Sequence, residues 1–213
     1  MSSVINVFNE YYKRYDQWYI RNLNIAVSER LCVGMLAPYG LILDIGVGTG
    51  FLTRKLSKTM IGIDPAEKPL LLASSRGFLT INGFGEELPF RSNVFDTILL
   101  IVTLCFTRNP CRVLREAYRV LKKNGKIITC IVPRDSPWGQ HYIMLKTRGE
   151  NIFYEHARFY TLSELEDMIR STGFTVKRYC STLTYPPKIP SYIEYPILDK
   201  VENAGFVCIE AYK

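Results

Sequence analysis

The run Leu41-Ile42-Leu43-Asp44-Ile45-Gly46-Val47-Gly48-Thr49-Gly50 sets an apolar stretch directly against three alternating glycines. Glycines at that spacing let the backbone turn tightly and let a ligand approach where a Cβ would block it. The next apolar run, Met60-Ile61-Gly62-Ile63, ends on Asp64. A carboxylate there suits hydrogen bonds from both hydroxyls of a ribose, or the capping of a helix that starts at Pro65. A dinucleotide turn would carry its third glycine at position 51, where this chain has Phe51, and a phosphate-binding P-loop would need Gly-Lys-Ser/Thr. Both are excluded. General-base chemistry would fall to His141 and His156, the two histidines of the chain.

The elements that position these residues alternate. A helix is expected over residues 16–35, then a strand over 41–45, a helix over 50–57, a strand over 60–64 and a helix over 66–75. Strands over 79–81 and 94–101 precede a helix over 110–121, Asn124-Gly125 turns the chain, and a strand runs over 126–132. Strands that are apolar throughout, separated by helices, imply a parallel sheet covered on both faces. From Pro133 to Tyr160 the sequence turns aromatic and irregular. Thr161-Leu162-Ser163-Glu164 then reads as a capping box opening a helix that ends at Gly173. Strands over 174–180 and 205–212 close the chain as a hairpin, with residues 185–203 inserted between them. The expected architecture is α/β: a seven-stranded, mostly parallel, doubly wound sheet with an antiparallel C-terminal hairpin, in one domain over 1–213. Residues 1–36 form an N-terminal helical cap and 133–160 an aromatic lid insertion.

Composition narrows the classes. Hydrophobic residues make up 47% and charged residues 22%, as in ordinary globular domains. The stretch from Met1 to Tyr19 lacks the apolar core of a signal peptide, and the run from Thr97 to Phe106 is too short to span a bilayer, so a cytoplasmic protein is expected. Six dispersed cysteines fit neither a metal site nor a secreted disulfide framework. The formal charge of +7 permits a nucleic-acid partner, yet Arg108, Arg112, Arg115 and Arg119 at helical spacing read first as a solvated helix face.

Five ordered motifs now point to a family: Leu43 to Gly50, Gly62-Ile63-Asp64-Pro65, Glu86-Glu87-Leu88-Pro89-Phe90, Asn93-Val94-Phe95-Asp96, and Arg115 through Gly125. In these the chain resembles the class I S-adenosylmethionine-dependent methyltransferases, in particular the small-molecule branch with the ubiquinone/menaquinone methyltransferases. The resemblance implies a Rossmann-like fold and S-adenosylmethionine as cofactor, with no metal. It implies that Gly46, Gly48 and Gly50 pack on the methionine and ribose, that Asp44 positions the amino group and that Asp64 binds the ribose. It further implies Pro65, Gly85 and Glu86 around the adenine, carbonyls near Leu100 and Ile101 at the ammonium, and Tyr15 and Trp18 closing over the cofactor. Phe84 stands where many relatives carry Asp, and Cys105-Phe106 where they often carry His-His. The segment from Thr103 to Ser136 is also similar to archaeal and thermophile proteins labelled histamine-methyltransferase-like; that substrate is not carried over.

The expected reaction is in-line methyl transfer to a nitrogen, oxygen, sulfur or carbon acceptor on a small molecule, under a lid carrying Trp138, His141, Tyr142 and Tyr154. His141, His156 and Tyr15 are the catalytic candidates. The protein is expected to act as monomer or homodimer. Two other readings are weighed: an RNA methyltransferase, which lacks an Asn/Asp-Pro-Pro-Tyr motif here, and a non-catalytic cofactor-binding partner subunit, which predicts an exposed apolar patch over residues 185–196.

Overall fold

The computed structural model of the chain describes residues 2–57, 59–187, 189 and 191–213. Its seven strands form one sheet in the order β3-β2-β1-β4-β5-β7-β6. In chain order they are β1 (Ile42–Ile45), β2 (Met60–Asp64), β3 (Leu79–Asn82), β4 (Phe95–Ile101), β5 (Leu121–Ile131), β6 (Thr175–Thr182) and β7 (Phe206–Tyr212). Strands β1 to β5 pair in parallel, while β7 runs antiparallel between β5 and β6. The order reverses between β1 and β4, the switch point at which such sheets bind ligands beyond their carboxyl ends.

Helices α1 (Ser2–Arg21), α2 (Leu23–Met35), α3 (Glu67–Ser75), α4 (Pro110–Val120), α5 (Pro137–Thr147) and α6 (Leu162–Ser171) cover the sheet. Alternate residues of the strands feed two cores. Ile42, Leu99, Ile101 and Ile128 pack with α2, α3 and α5, while Leu43, Ile45, Ile98 and Leu100 pack with α4 and α6. This is why the strands read as unbroken apolar runs: both faces are buried. The Thr161–Glu164 capping box is present, and Gly173 at φ +106° carries the chain out of α6.

Four expectations change. The single helix over 16–35 is two helices beginning at Ser2, parted at Asn22, whose backbone at φ −112° and ψ 47° leaves the helical range. The helix over 50–57 is a series of turns. Arg30 takes the carbonyls of Phe51 and Leu52 that a helix would offer to later amides, and Lys55 stands at φ +72°. The lid is not irregular throughout. Ser136 caps α5 by accepting from the Gly139 amide, with Pro137 in its first turn. Finally, β5 begins at Leu121 opposite Phe95 and shifts register before Lys126 pairs with Thr97, the Asn124-Gly125 turn lying inside it.

One bridge breaks the dispersal of the cysteines. Cys130 and Cys208 sit opposite each other on β5 and β7 and form a disulfide, a single cross-strand link between residues 78 apart in sequence. Within the insertion between β6 and β7, Lys188 and Pro190 lie outside the described residues, as does Met1. No helix among the described residues is long and apolar enough to cross a membrane.

Candidate active site

At the carboxyl end of β1 the glycine turn folds back onto β2, with the amides of Gly46 and Val47 both donating to the Ile63 carbonyl. Gly46, Gly48 and Gly50 all have positive φ. Their reasons differ. A Cβ on Gly46 would lie 2.3 Å from Thr103, so this glycine lets β1 press against the loop leaving β4. A Cβ on Gly48 would meet nothing, and this glycine faces an open cleft. Gly50 packs on Phe78 and does not reach the cleft wall.

Asp64 ties the cleft together. One carboxylate oxygen accepts from the Gly48 amide at 2.9 Å, and the other from the Ala66 amide at 2.8 Å. The second contact closes a turn before α3, which starts at Glu67, so Pro65 lies outside the helix rather than at its first position. Burial pushes the Asp64 pKa up to about 6. Each oxygen keeps a lone pair for a ligand hydroxyl. Asp44 is buried beneath the turn, bonded to the Thr53 hydroxyl at 2.5 Å, and its pKa is pushed by burial to about 7.

Pro65, Ala66, Phe84, Gly85 and Glu86 form the far wall of the cleft. The Glu86 carboxylate is held by the amides of Arg108 and Asn109 at 3.0 and 3.3 Å, which fixes the loop before α4. Ile101 reaches the cleft, whereas the Leu100 side chain points into the opposite core. Val102, a β-branched residue at φ +53°, leaves β4 at the switch point and lines both this cleft and a second cavity. Nothing in the sequence marks that strain.

The cleft suits a phosphate-free nucleoside ligand. Its turn presents a carboxylate and an open glycine, but no regular helix begins after it to meet a phosphate. The cap is bolted over this turn. Arg76 pairs with both oxygens of Asp16 at 2.7 Å and donates to the Thr49 carbonyl at 2.7 Å, joining α1 to the glycine turn. Burial opposes the Asp16 charge, but the Arg76 guanidinium holds its carboxyl below the usual range.

The second cavity, about 280 Å³, adjoins the first across Tyr15, Tyr19, Val102 and Phe106. It lies at the small end of ligand cavities. Trp18, Tyr142, Phe153, Tyr154 and Phe159 form its walls, with the Tyr142 and Tyr154 rings stacked 4.5 Å apart. Trp18 therefore faces this cavity and not the cleft, while Tyr15 faces both. The Tyr15 hydroxyl lies 3.4 Å from that of Tyr19, and burial raises its pKa so far that the phenol stays protonated. Cys105 also lines the wall, its thiol pushed by burial up to about 12 and therefore inert.

The structure does not bring the remaining lid candidates together here. Trp138 is buried elsewhere, its indole donating to the Tyr185 carbonyl at 2.7 Å and its ring against Gly205. Helical spacing turns Trp138 and Tyr142 inward and leaves His141 off that face, and neither His141 nor His156 lines either cavity. Sequence reasoning missed Glu29, which lies in the cavity wall. Its signal was a lone acid at i+3 and i+4 spacing among Ile25, Ala26, Cys32 and Val33.

Comparison with known proteins agrees with this geometry. Residues 43–129 match a methyltransferase domain family. An uncharacterized protein of Methanocaldococcus jannaschii is 35% identical over 98% of this chain and 100% of its own length. A ubiquinone biosynthesis O-methyltransferase of Pseudomonas fluorescens is 30% identical over 74% of each chain. A Thermotoga maritima crystal structure, described as a SAM-dependent methyltransferase and possible histamine N-methyltransferase, superposes with a TM-score of 0.91. It is 35% identical and the match covers 98% of this chain and 99% of that one. With the seven-stranded sheet and the glycine turn at its switch point, these matches show that the chain belongs to the class I S-adenosylmethionine-dependent methyltransferases.

Proposed function

We propose that this protein binds S-adenosylmethionine in the glycine-turn cleft and methylates a small molecule held in the adjoining aromatic cavity. The observation that carries the reading is the shared wall: Tyr15, Tyr19, Val102 and Phe106 belong to both spaces, so ligands in them would meet there. When bound, the cofactor supplies an electrophilic methyl on a sulfonium. Asp64 would accept the ribose hydroxyls, Gly48 would leave room for the ligand, and Gly85 with the Glu86 backbone would border the adenine. Tyr15 and Tyr19, pressed down by the Asp16–Arg76 clamp, would exclude water. A dry, positioned pair of reactants is the main requirement of such a displacement.

The RNA reading has less support. Of the four arginines at helical spacing, Arg119 is spent on Glu116 and the carbonyls of Leu88 and Phe90, and Arg112 on the Glu86 carbonyl. The partner reading has one observation in its favour: Tyr192, Ile193, Tyr195 and Ile197, in the insertion before β7, are each exposed. Thermal melting with S-adenosylhomocysteine tests the cofactor, and product release from a panel of amines, thiols, quinols and tRNA tests the acceptor. Stabilisation by S-adenosylhomocysteine with turnover of a small molecule is the expected result. Stabilisation with no turnover on any acceptor would favour the partner reading.

A further inference from the structure

In the wall of the aromatic cavity stands a carboxyl group with no ion-pair partner among the described residues. Glu29 is 5% exposed, lines the cavity wall, and its Oε2 accepts no hydrogen bond. A buried carboxylate ordinarily finds an arginine, a lysine or amide donors. Asp16 and Glu210, buried in this same chain, both do. A glutamine or leucine at this position would fold without the penalty of an unpaired acid.

Its surroundings select the sign of the missing partner. Tyr15, Tyr19, Tyr142 and Tyr154, whose pKa values are raised first by burial, each also feel the Glu29 charge. Trp18 meets Tyr19 edge-on at 5.1 Å, and the Tyr142–Tyr154 stack closes the lid side. Aromatic faces attract cations and repel anions. The arginines at this cavity, Arg14, Arg21 and Arg158, are exposed at its mouth, where water and salt screen them. Burial pushes the Glu29 pKa up to about 8, so an arriving ammonium displaces the carboxyl proton to solvent and leaves a paired carboxylate and ammonium in place of a bare buried charge.

We propose that the aromatic cavity takes a small amine, its cationic nitrogen on the Glu29 carboxylate and its apolar body between the tyrosine rings. As a statement about the methyl acceptor this rests on the methyltransferase reading; as a statement about binding it is measured without turnover.

The test uses isosteric pairs on the full chain saturated with S-adenosylhomocysteine: benzylamine and benzyl alcohol, 2-phenylethylamine and 2-phenylethanol, cyclohexylamine and cyclohexanol. Calorimetry should show at least one amine binding about tenfold more tightly than its alcohol. Glu29→Gln should reduce that preference to less than about twofold while leaving S-adenosylhomocysteine affinity within about twofold. Alcohols binding as well as amines, no amine binding at millimolar concentration, or a preference that survives in the variant would each overturn the proposal. Should the variant not fold, the wild-type pairs alone decide. Wild-type protein that fails to bind S-adenosylhomocysteine would count against the cofactor reading, and the same pairs then test the amine site without it.

Discussion

The two adjoining spaces are built by opposite means. The cleft is made largely of backbone: a glycine turn, the ends of β1 and β2, and one carboxylate whose two oxygens brace the turn and the approach to α3. The cavity is made of side chains from α1, α2, the segment leaving β4, the end of β5, α5 and the loop after it, with Glu29 among them. Backbone fixed by a sheet is hard to alter without breaking the fold, whereas a wall of rings on helices can be exchanged residue by residue. The cleft is therefore the part most constrained by the fold, and the cavity the part whose walls can change without disturbing it.

Asp64→Ala is the strongest way to separate them. It removes the acceptor for the Gly48 amide and, on the proposed reading, for the ribose hydroxyls. S-adenosylhomocysteine affinity should fall about tenfold to a hundredfold by calorimetry. Amine binding in the cavity, measured without that ligand, should stay within about threefold of wild type. Equal losses in both spaces would mean that they fold as one unit.

The cavity's own weak point is Glu29. In the folded chain it holds a proton that the unfolded chain releases near the ordinary value of 4.5, and burial moves that release to about 8. Ionising it therefore works against folding: stability falls as pH rises from about 4.5 to about 8 and is level above that. The groups sensing its charge are Tyr15, Tyr19, Tyr142, Tyr154, Tyr185 and Cys32, none of which ionises in this window. Asp44 and Asp64 act in the same sense up to about 7 and about 6, so the difference between wild type and Glu29→Gln isolates the one group. The variant should gain on the wild type by about 3 kcal/mol between pH 5 and 8, on the order of 5–10 °C in Tm. A constant difference across that range would show that Glu29 is paired in solution.

The same contrast explains what the sequence disclosed. Cleft residues lie within short motifs, because a strand, its turn and the next strand's last residue are close in the chain as well as in space. The placement of Asp64, Gly46 and Gly48 at the cleft could be read for that reason, and so could the alternation that fixes the sheet, whereas Gly50 packs on Phe78 instead. The cavity depends on which face of each helix turns inward, and that is a matter of register. His141 and Tyr142 are neighbours in sequence, yet only Tyr142 reaches the wall. Trp138 looked like a substrate contact but anchors the lid to Tyr185 and to Gly205 just before β7. The turns at residues 51–55 were hidden because Arg30, on another helix, takes their carbonyls.

Arg76→Ala probes the element common to both spaces. Losing the Asp16 pair and the Thr49 contact loosens α1 over the glycine turn, and burial leaves Asp16 without its cation. S-adenosylhomocysteine affinity should fall about threefold to tenfold, with the change mainly in the dissociation rate measured by stopped flow. A change confined to one space would place the clamp there alone.

The smallest expected effect bears on how the chemistry is done. His141 stands one position out of phase with Trp138 and Tyr142 on α5, and His156 follows Tyr154 in the short 3-10 turn without touching either cavity. A proton acceptor must come within hydrogen-bond reach of the proton that it takes, directly or through one water. From those positions a general base would need the lid to repack, against the Trp138–Tyr185 bond and the Tyr142–Tyr154 stack. His141→Ala and His156→Ala should each leave turnover within about twofold and its pH profile unchanged. A loss of about tenfold or more in turnover, with S-adenosylhomocysteine binding intact, would instead mean that the lid closes further and brings a histidine to the acceptor. The charge in the aromatic cavity would then be shared between Glu29 and an imidazole, and the cavity, not the cleft, would be the part of the molecule that moves.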